Sequence, residues 1–212
     1  MAAPIPAATA SGRVIKDLAE KEGAMTDRRT SIVRLVVFSV ATLAARVPAQ
    51  SPQALFEPPL LITSAGQSAE AVIAANLAKR AELPATLVKL ATDKDLRDRR
   101  TLVLVLGASM KGLGAAGVDT AKETGRVRDL LAEAKRTATP VLAMHLGGAE
   151  RRGELTDELI SEFLPAAKAV LVVKAGNKDG LFTKICAAHA IPLFEVEKSL
   201  DAVELLKSIF KK

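Results

Sequence analysis

Residues Thr101 to Gly117 read TLVLVLGASMKGLGAAG. Five consecutive aliphatic residues, Leu102 to Leu106, stop at Gly107 and give way to a glycine-rich segment carrying Ser109 and Lys111. An unbroken apolar run of that length suits a strand covered on both faces, as in a parallel sheet. The glycine-rich segment then lies at the carboxyl end of the strand, where open α/β sheets bind ligands.

The same unit recurs on either side. Before it, Leu60 to Ser64 is a short aliphatic run that breaks at TSAGQS. A helix is expected from about Gln67 to Ala81, capped by Ser64 with Gln67 or by Ser68, with Val72, Ile73 and Leu77 as its buried stripe. Ala85 to Leu90 is a weaker strand, and the charged DKDLRDRR segment that follows it is a surface turn. After the glycine segment, Thr120 and Glu123 have capping-box spacing ahead of a stripe of Val127, Leu130, Leu131 and Ala134. Val141 to Leu146, Ala169 to Lys174 and Leu193 to Val196 are further strands, with Thr156 and Ser199 as the caps of the helices after the first and last.

This alternation predicts a three-layer α/β sandwich, a Rossmann-like parallel sheet of five or six strands. The short charged link after the second strand suits an edge position, so the flavodoxin-like order 2-1-3-4-5-6 is expected. The classical Rossmann order stays open. About 160 residues bury roughly 70% of their chain surface, enough for one core.

Composition narrows the function. The chain of 212 residues carries a formal charge of +6, with no Trp, no Tyr, six Phe and one Cys. Residues 1–49 hold seven Lys and Arg against four Asp and Glu, so half of that charge sits in the N-terminal tail. Without a basic face or a stacking platform, nucleic acid is not an expected partner. Cys186 stands alone, which excludes an intrachain disulfide and a thiolate zinc site. No carboxylate cluster suggests a metal, and no cofactor is expected.

The tail carries a targeting pattern. Arg28, Arg29 and Arg34 precede the apolar run Leu35 to Ala45, which is shorter than the roughly 20 residues of a membrane span. Val47-Pro48-Ala49 resembles a signal-peptidase site. The expected layout is an extension over 1–24, a signal peptide over 25–49 starting at Met25, a proline-rich lead-in over 50–58, and the α/β domain over 59–212. Cleavage near Ala49 exports the domain to the periplasm or medium and leaves no membrane span.

Four loops, TSAGQS, GASMKGLGAAG, HLGGAERRG and KAGNKDG, are expected on one rim. Glycines expose backbone N–H groups, and helix N-termini favour anions. Candidate ligand contacts are Ser64, Gly66, Gln67, Ser68, Gly107, Ser109, Lys111, Gly112, Gly114, His145, Arg151, Arg152, Lys174, Asn177 and Lys178. They point to a small anionic molecule, a carboxylate or a phosphate. Named motifs fail. GLGAAG at Gly112 to Gly117 starts too far from the strand end for a dinucleotide fingerprint, and no GxxxxGK[ST] phosphate loop occurs. The aspartate of Asn177-Lys178-Asp179 is one place early for guanine reading, and receiver and flavin sites lack their acids and aromatics. Ser109 and His145 are the candidates for catalysis, although no GxSxG elbow is present. Binding is therefore preferred. A hydrolase or transferase acting on such an anion, and a protein-docking domain, stay open, as does the oligomeric state.

These blocks, with GNKDGLFTKI, resemble a bacterial family of exported domains of unknown function over about Pro59 to Phe210. The resemblance implies an extracytoplasmic Rossmann-like domain. It supplies no catalytic residue to carry over. The stretch before Met25 departs from the family pattern.

Overall fold

The computed structural model describes residues 54–211. The readings of the extension, the signal peptide and the start of the lead-in lie outside these residues. Six strands are present: β1 (Leu60–Ala65), β2 (Ala85–Leu87), β3 (Thr101–Leu106), β4 (Val141–His145), β5 (Ala169–Val173) and β6 (Leu193–Val196). They form one parallel sheet in the order β2-β1-β3-β4-β5-β6. This is the expected flavodoxin-like order, with β1, β3, β4 and β5 buried along their whole length. The strand order reverses between β1 and β3, so their carboxyl ends open the crevice where such sheets place ligands.

Helices cover both faces. On one face lie α1 (Glu70–Arg80) and α6 (Ala202–Ile209), packed through Ala71, Ala74, Leu77, Leu206 and Ile209. On the other lie α3 (Thr120–Arg136), α4 (Glu154–Phe163) and α5 (Leu181–His189), packed through Val127, Leu130, Ile160, Phe163 and Phe182. Among the described residues no helix is long and apolar enough to cross a membrane. Part of the lead-in belongs to the fold. Phe56 is buried against Phe210 with ring centroids 5.3 Å apart, and the N–H groups of Leu55 and Phe56 both donate to the Ile209 carbonyl.

Several local expectations are corrected. The stripe on α1 is not Val72, Ile73 and Leu77: Val72 is 41% exposed and Ile73 38%. The buried face is Ala71, Ala74, Leu77 and Ala78. Small side chains win that face because α1 lies close on the strands, with Leu77 as the one large contact. The helix begins at Glu70, so Ser64 and Gln67 do not cap it, and Ser68 Oγ accepts the Glu70 N–H at 3.3 Å. The glycine segment after β3 is not all loop. Met110–Ala115 forms a short helix, α2, whose start Ser109 caps by accepting the Gly112 N–H at 3.0 Å. Asp119, not Thr120, caps α3. Thr156 lies inside α4, and its Oγ1 accepts the Ala108 N–H at 3.0 Å instead of capping the helix.

The revised face of α1 is tested by urea denaturation. Ile73→Lys should change stability by no more than about 0.5 kcal/mol, as at an ordinary surface site. Ala74→Leu should cost about 1–3 kcal/mol by overpacking.

Candidate functional site

The rim at the carboxyl ends of the strands is built around two buried carboxylates. Glu123 on α3 is 1% exposed. Its Oε1 accepts the Gly66 N–H at 2.9 Å, the Gln67 Nε2 amide at 2.9 Å and Arg126 Nη2 at 2.8 Å, while Oε2 accepts Arg126 Nε at 2.9 Å. Arg126 also donates to the carbonyls of Ala91 at 2.8 Å and Ser64 at 2.6 Å. One ion pair thus joins α3 to the loops after β1 and β2. Burial pushes the Glu123 carboxyl up, but the hydrogen bonds from Arg126, Gly66 and Gln67 outweigh it and hold it below the usual value.

Glu70, in the first turn of α1, is 2% exposed. Its Oε2 accepts the N–H groups of Leu146 at 2.7 Å and Gly147 at 2.9 Å. The chain's own carboxylate therefore fills the anion-accepting backbone at the end of β4. His145 lies 3.7 Å from the same oxygen and is fully buried. Its Nδ1 faces the Leu106 carbonyl at 2.9 Å, its Nε2 faces the Gly148 carbonyl at 3.1 Å, and its ring stacks against Phe182 with centroids 5.5 Å apart. Both ring nitrogens face backbone carbonyls within the fold, and Ser109 makes no hydrogen bond to this histidine. The two catalytic candidates are not brought together as a nucleophile and base.

Ser64 is fully buried in β1 with its hydroxyl unpartnered among the described residues. Other candidates are engaged within the protein: Gln67 is 7% exposed with its amide shared between Glu123 and the Lys89 carbonyl. Asn177, 8% exposed, binds Thr183 Oγ1 and Glu195 Oε1 through its amide, and its Oδ1 accepts the Phe182 N–H. Arg152 donates to Asp157, to both Asp179 oxygens and to the Gly176 carbonyl, stapling the loop after β4 to the loop after β5. Hydrogen bonds to Asp157 and then Asp179 push its guanidinium still further above the usual range. Lys174 pairs with Glu197 at 2.8 Å. Gln67, His145, Arg152 and Asn177 thus hold the rim together through bonds within the fold.

Lys111 in α2, Arg151 after β4 and Lys178 after β5 remain exposed, and none makes an ion pair or side-chain hydrogen bond among the described residues. Arg151 lines a cleft of about 260 Å³ together with Ala108, Met110, Gly153 and Thr156. Glu150, Arg152, Glu154 and Leu155 line it as well. The helix α4 starts at Gly153 with no side-chain cap, so its first turn presents N–H groups at this cleft. Gly112 and Gly114 lie in α2 and Gly66 in the turn after β1, where they shape the backbone. Among the described residues no group of His, Cys, Asp or Glu is placed to hold a metal ion. Cys186 is buried, and burial pushes its thiol up.

The buried glutamates were missed because acids at helix starts read as surface charges. Spacing could have found one: Glu123 precedes Val127, Leu130 and Ala134 at helical intervals and continues their inward face.

A family model described as a domain of unknown function (DUF6305) matches residues 57–210. The chain belongs to this family. The match spans the whole described sheet. No curated protein matches the chain. Two solved structures, both mutants of the esterase AlinE4, are similar at 17% and 14% identity. Each similarity covers 72% of this chain and 82% of the other, with TM-scores of 0.26 and 0.27, too low to carry a functional argument.

Breaking the buried pair should be costly. Glu123→Ala leaves Arg126 unpaired and should cost about 3–5 kcal/mol in urea denaturation. The folded pKa of Glu123 lies below its unfolded value. Its contribution is therefore complete above the usual 4.5 and is lost as pH falls through the lower folded value. Stability of the wild type should fall over that acidic window, and the variant's curve should be flatter there.

Proposed function

We propose that this domain is an exported binding module for a small anionic molecule, held at the cleft between α2 and the start of α4. The observation that carries the reading is Arg151. Its guanidinium has no partner among the described residues and lines a cleft whose other wall is an uncapped helix N-terminus. Positive charge and free N–H groups at one place favour a carboxylate or phosphate. The volume, about 260 Å³, lies below the range of about 300–1,000 Å³ usual for drug-sized ligands, which argues for a molecule of few atoms. Glu150 and Glu154 in the same lining repel a dianion more than a monoanion, which favours a carboxylate. Binding is preferred to catalysis because Ser109 and His145 are both spent within the fold. Export rests on the basic flank, the apolar run and the cleavage pattern before Gln50, and N-terminal sequencing of the exported fraction should find a chain starting near that residue.

NMR titration with acetate and with inorganic phosphate tests the ligand class. Acetate should shift the amide signals of Gly153 to Thr156 more strongly than phosphate. Arg151→Gln should weaken acetate binding about tenfold or more, the size expected for a charge-assisted hydrogen bond. Lys174→Ala should leave it unchanged, since Lys174 is already paired. Equal acetate affinity in wild type and Arg151→Gln would remove Arg151 from the site.

A further inference from the structure

The opposite end of the sheet carries a second polar cavity, of about 290 Å³. Arg99 and Arg100 stand just before β3, Pro140 just before β4 and Lys168 just before β5, so these walls lie at strand starts and the cavity faces away from the rim. Three cations line it, Arg99, Arg100 and Lys168, against one carboxylate, Glu57. That carboxylate is already taken: Lys211 donates to it, and Arg100 lies 3.5 Å from it. The hydrogen bond from Lys211 holds the Glu57 carboxyl below its usual value, and the charges of Arg100 and Lys168 act in the same direction, so the field in the cavity is positive.

Arg99 is the cation that the fold leaves without an acceptor. The residue is half-buried, its Nε is buried with no hydrogen-bond partner, and its guanidinium makes no ion pair among the described residues. A guanidinium drawn out of water with nothing to bond is costly, and it cannot escape the cost by losing its proton. Its neighbours keep donors in hand. Lys168 Nζ uses one of its three N–H groups on the Leu55 carbonyl at 2.8 Å and lies over the Phe56 ring. Arg100 has only the loose pair with Glu57 among the described residues. The backbones of all three are fastened within the fold: the N–H groups of Arg99, Arg100 and Lys168 donate to the carbonyls of Leu96, Pro59 and Val141 at 3.1, 2.9 and 2.8 Å. Only side chains remain to be ordered around a ligand.

We infer that this cavity is a second anion site, specific for a phosphate dianion, in which the guanidinium of Arg99 and the ammonium of Lys168 hold the phosphate oxygens and the exposed Arg100 closes over them. The lining carries an excess of two positive charges, which a dianion balances and a carboxylate does not. A guanidinium presents paired N–H groups to two oxygens of one phosphate. The volume lies just under the range of drug-sized ligands, so the occupant is free phosphate or the phosphate of a small ester or lipid headgroup, not a nucleotide. The two ends of the sheet thereby sort anions by charge. Glu150 and Glu154 disfavour a dianion at the Arg151 cleft, and three cations favour one here. The inference stands independently of the carboxylate reading of that cleft.

The test uses the full 212-residue chain in NMR titrations at constant ionic strength, with inorganic phosphate, glycerol phosphate and acetate as probes. Phosphate should shift the amide signals of Arg100, Thr101 and Lys168 more strongly than acetate. Arg99→Gln should weaken that binding about tenfold or more, the size of a lost charge-assisted hydrogen bond. Should this variant lose its dispersed spectrum, Lys168→Gln replaces it and should weaken phosphate likewise. Arg97→Gln, on the same charged segment but outside the lining, should leave the phosphate response of these amides unchanged, and so should Arg151→Gln. Glycerol phosphate binding more tightly than phosphate upholds the site and marks an esterified ligand such as a lipid headgroup. Phosphate binding as tightly or more tightly upholds it and marks the free ion. No response of these amides to either phosphate, unchanged affinity in Arg99→Gln, or equal weakening by Arg97→Gln overturns the site and leaves the acetate reading of the Arg151 cleft intact.

Discussion

Gly66 and Gln67, at the turn after β1, direct their N–H and amide groups at one buried oxygen of Glu123, and Arg126 closes the same oxygen from the other side. The rest of the rim depends on this knot. Arg126 continues to the Ala91 and Ser64 carbonyls, so the loops after β1 and β2 and the first turns of α3 share one set of hydrogen bonds. Taking the pair apart leaves a charge buried without a partner, which costs far more than the net worth of the pair itself. Glu70 does the corresponding work on the other side of the switch point, tying α1 to the end of β4.

That arrangement changes what the rim can offer a ligand. Glycine-bearing loops around a parallel sheet supply N–H groups, and in this domain the chain's own carboxylates take several of them first. Arg152 and Asn177 are consumed in the same way, each fastening one loop to another. Among the described residues, what stays unpaired on the rim is less than the loop sequences suggest: Lys111, Arg151 and Lys178 at the edge, the uncapped start of α4, and one oxygen of Glu70.

The fold was legible because its signals are local and strong. Leu102 to Leu106 is a run that only a doubly covered strand accommodates, and the short charged link before it places β2 at the edge. The face of α1 was not legible. Val72 and Ile73 are its most apolar residues, yet the sheet selects the alanines because of how closely the helix lies on it. The glycines after β3 read as loop, whereas Ser109 starts a helix there, and Gly112 lets that helix lie against the Gln67 carbonyl, 2.0 Å from where a Cβ would stand. The rim loops were legible in position, at the ends of the strands, but their pairings were not. Which rim groups are free is decided by pairings such as Glu123 with Gly66, 57 residues apart, and no spacing rule reports a bond of that range.

The central claim is that buried glutamates hold the rim by taking its backbone N–H groups. Amide hydrogen exchange at Gly66, Leu146 and Gly147 measures this most directly. The account predicts protection approaching that of the buried strands β1 and β4, although all three amides lie just beyond strand ends. Exchange at the rate of exposed loop amides would contradict it.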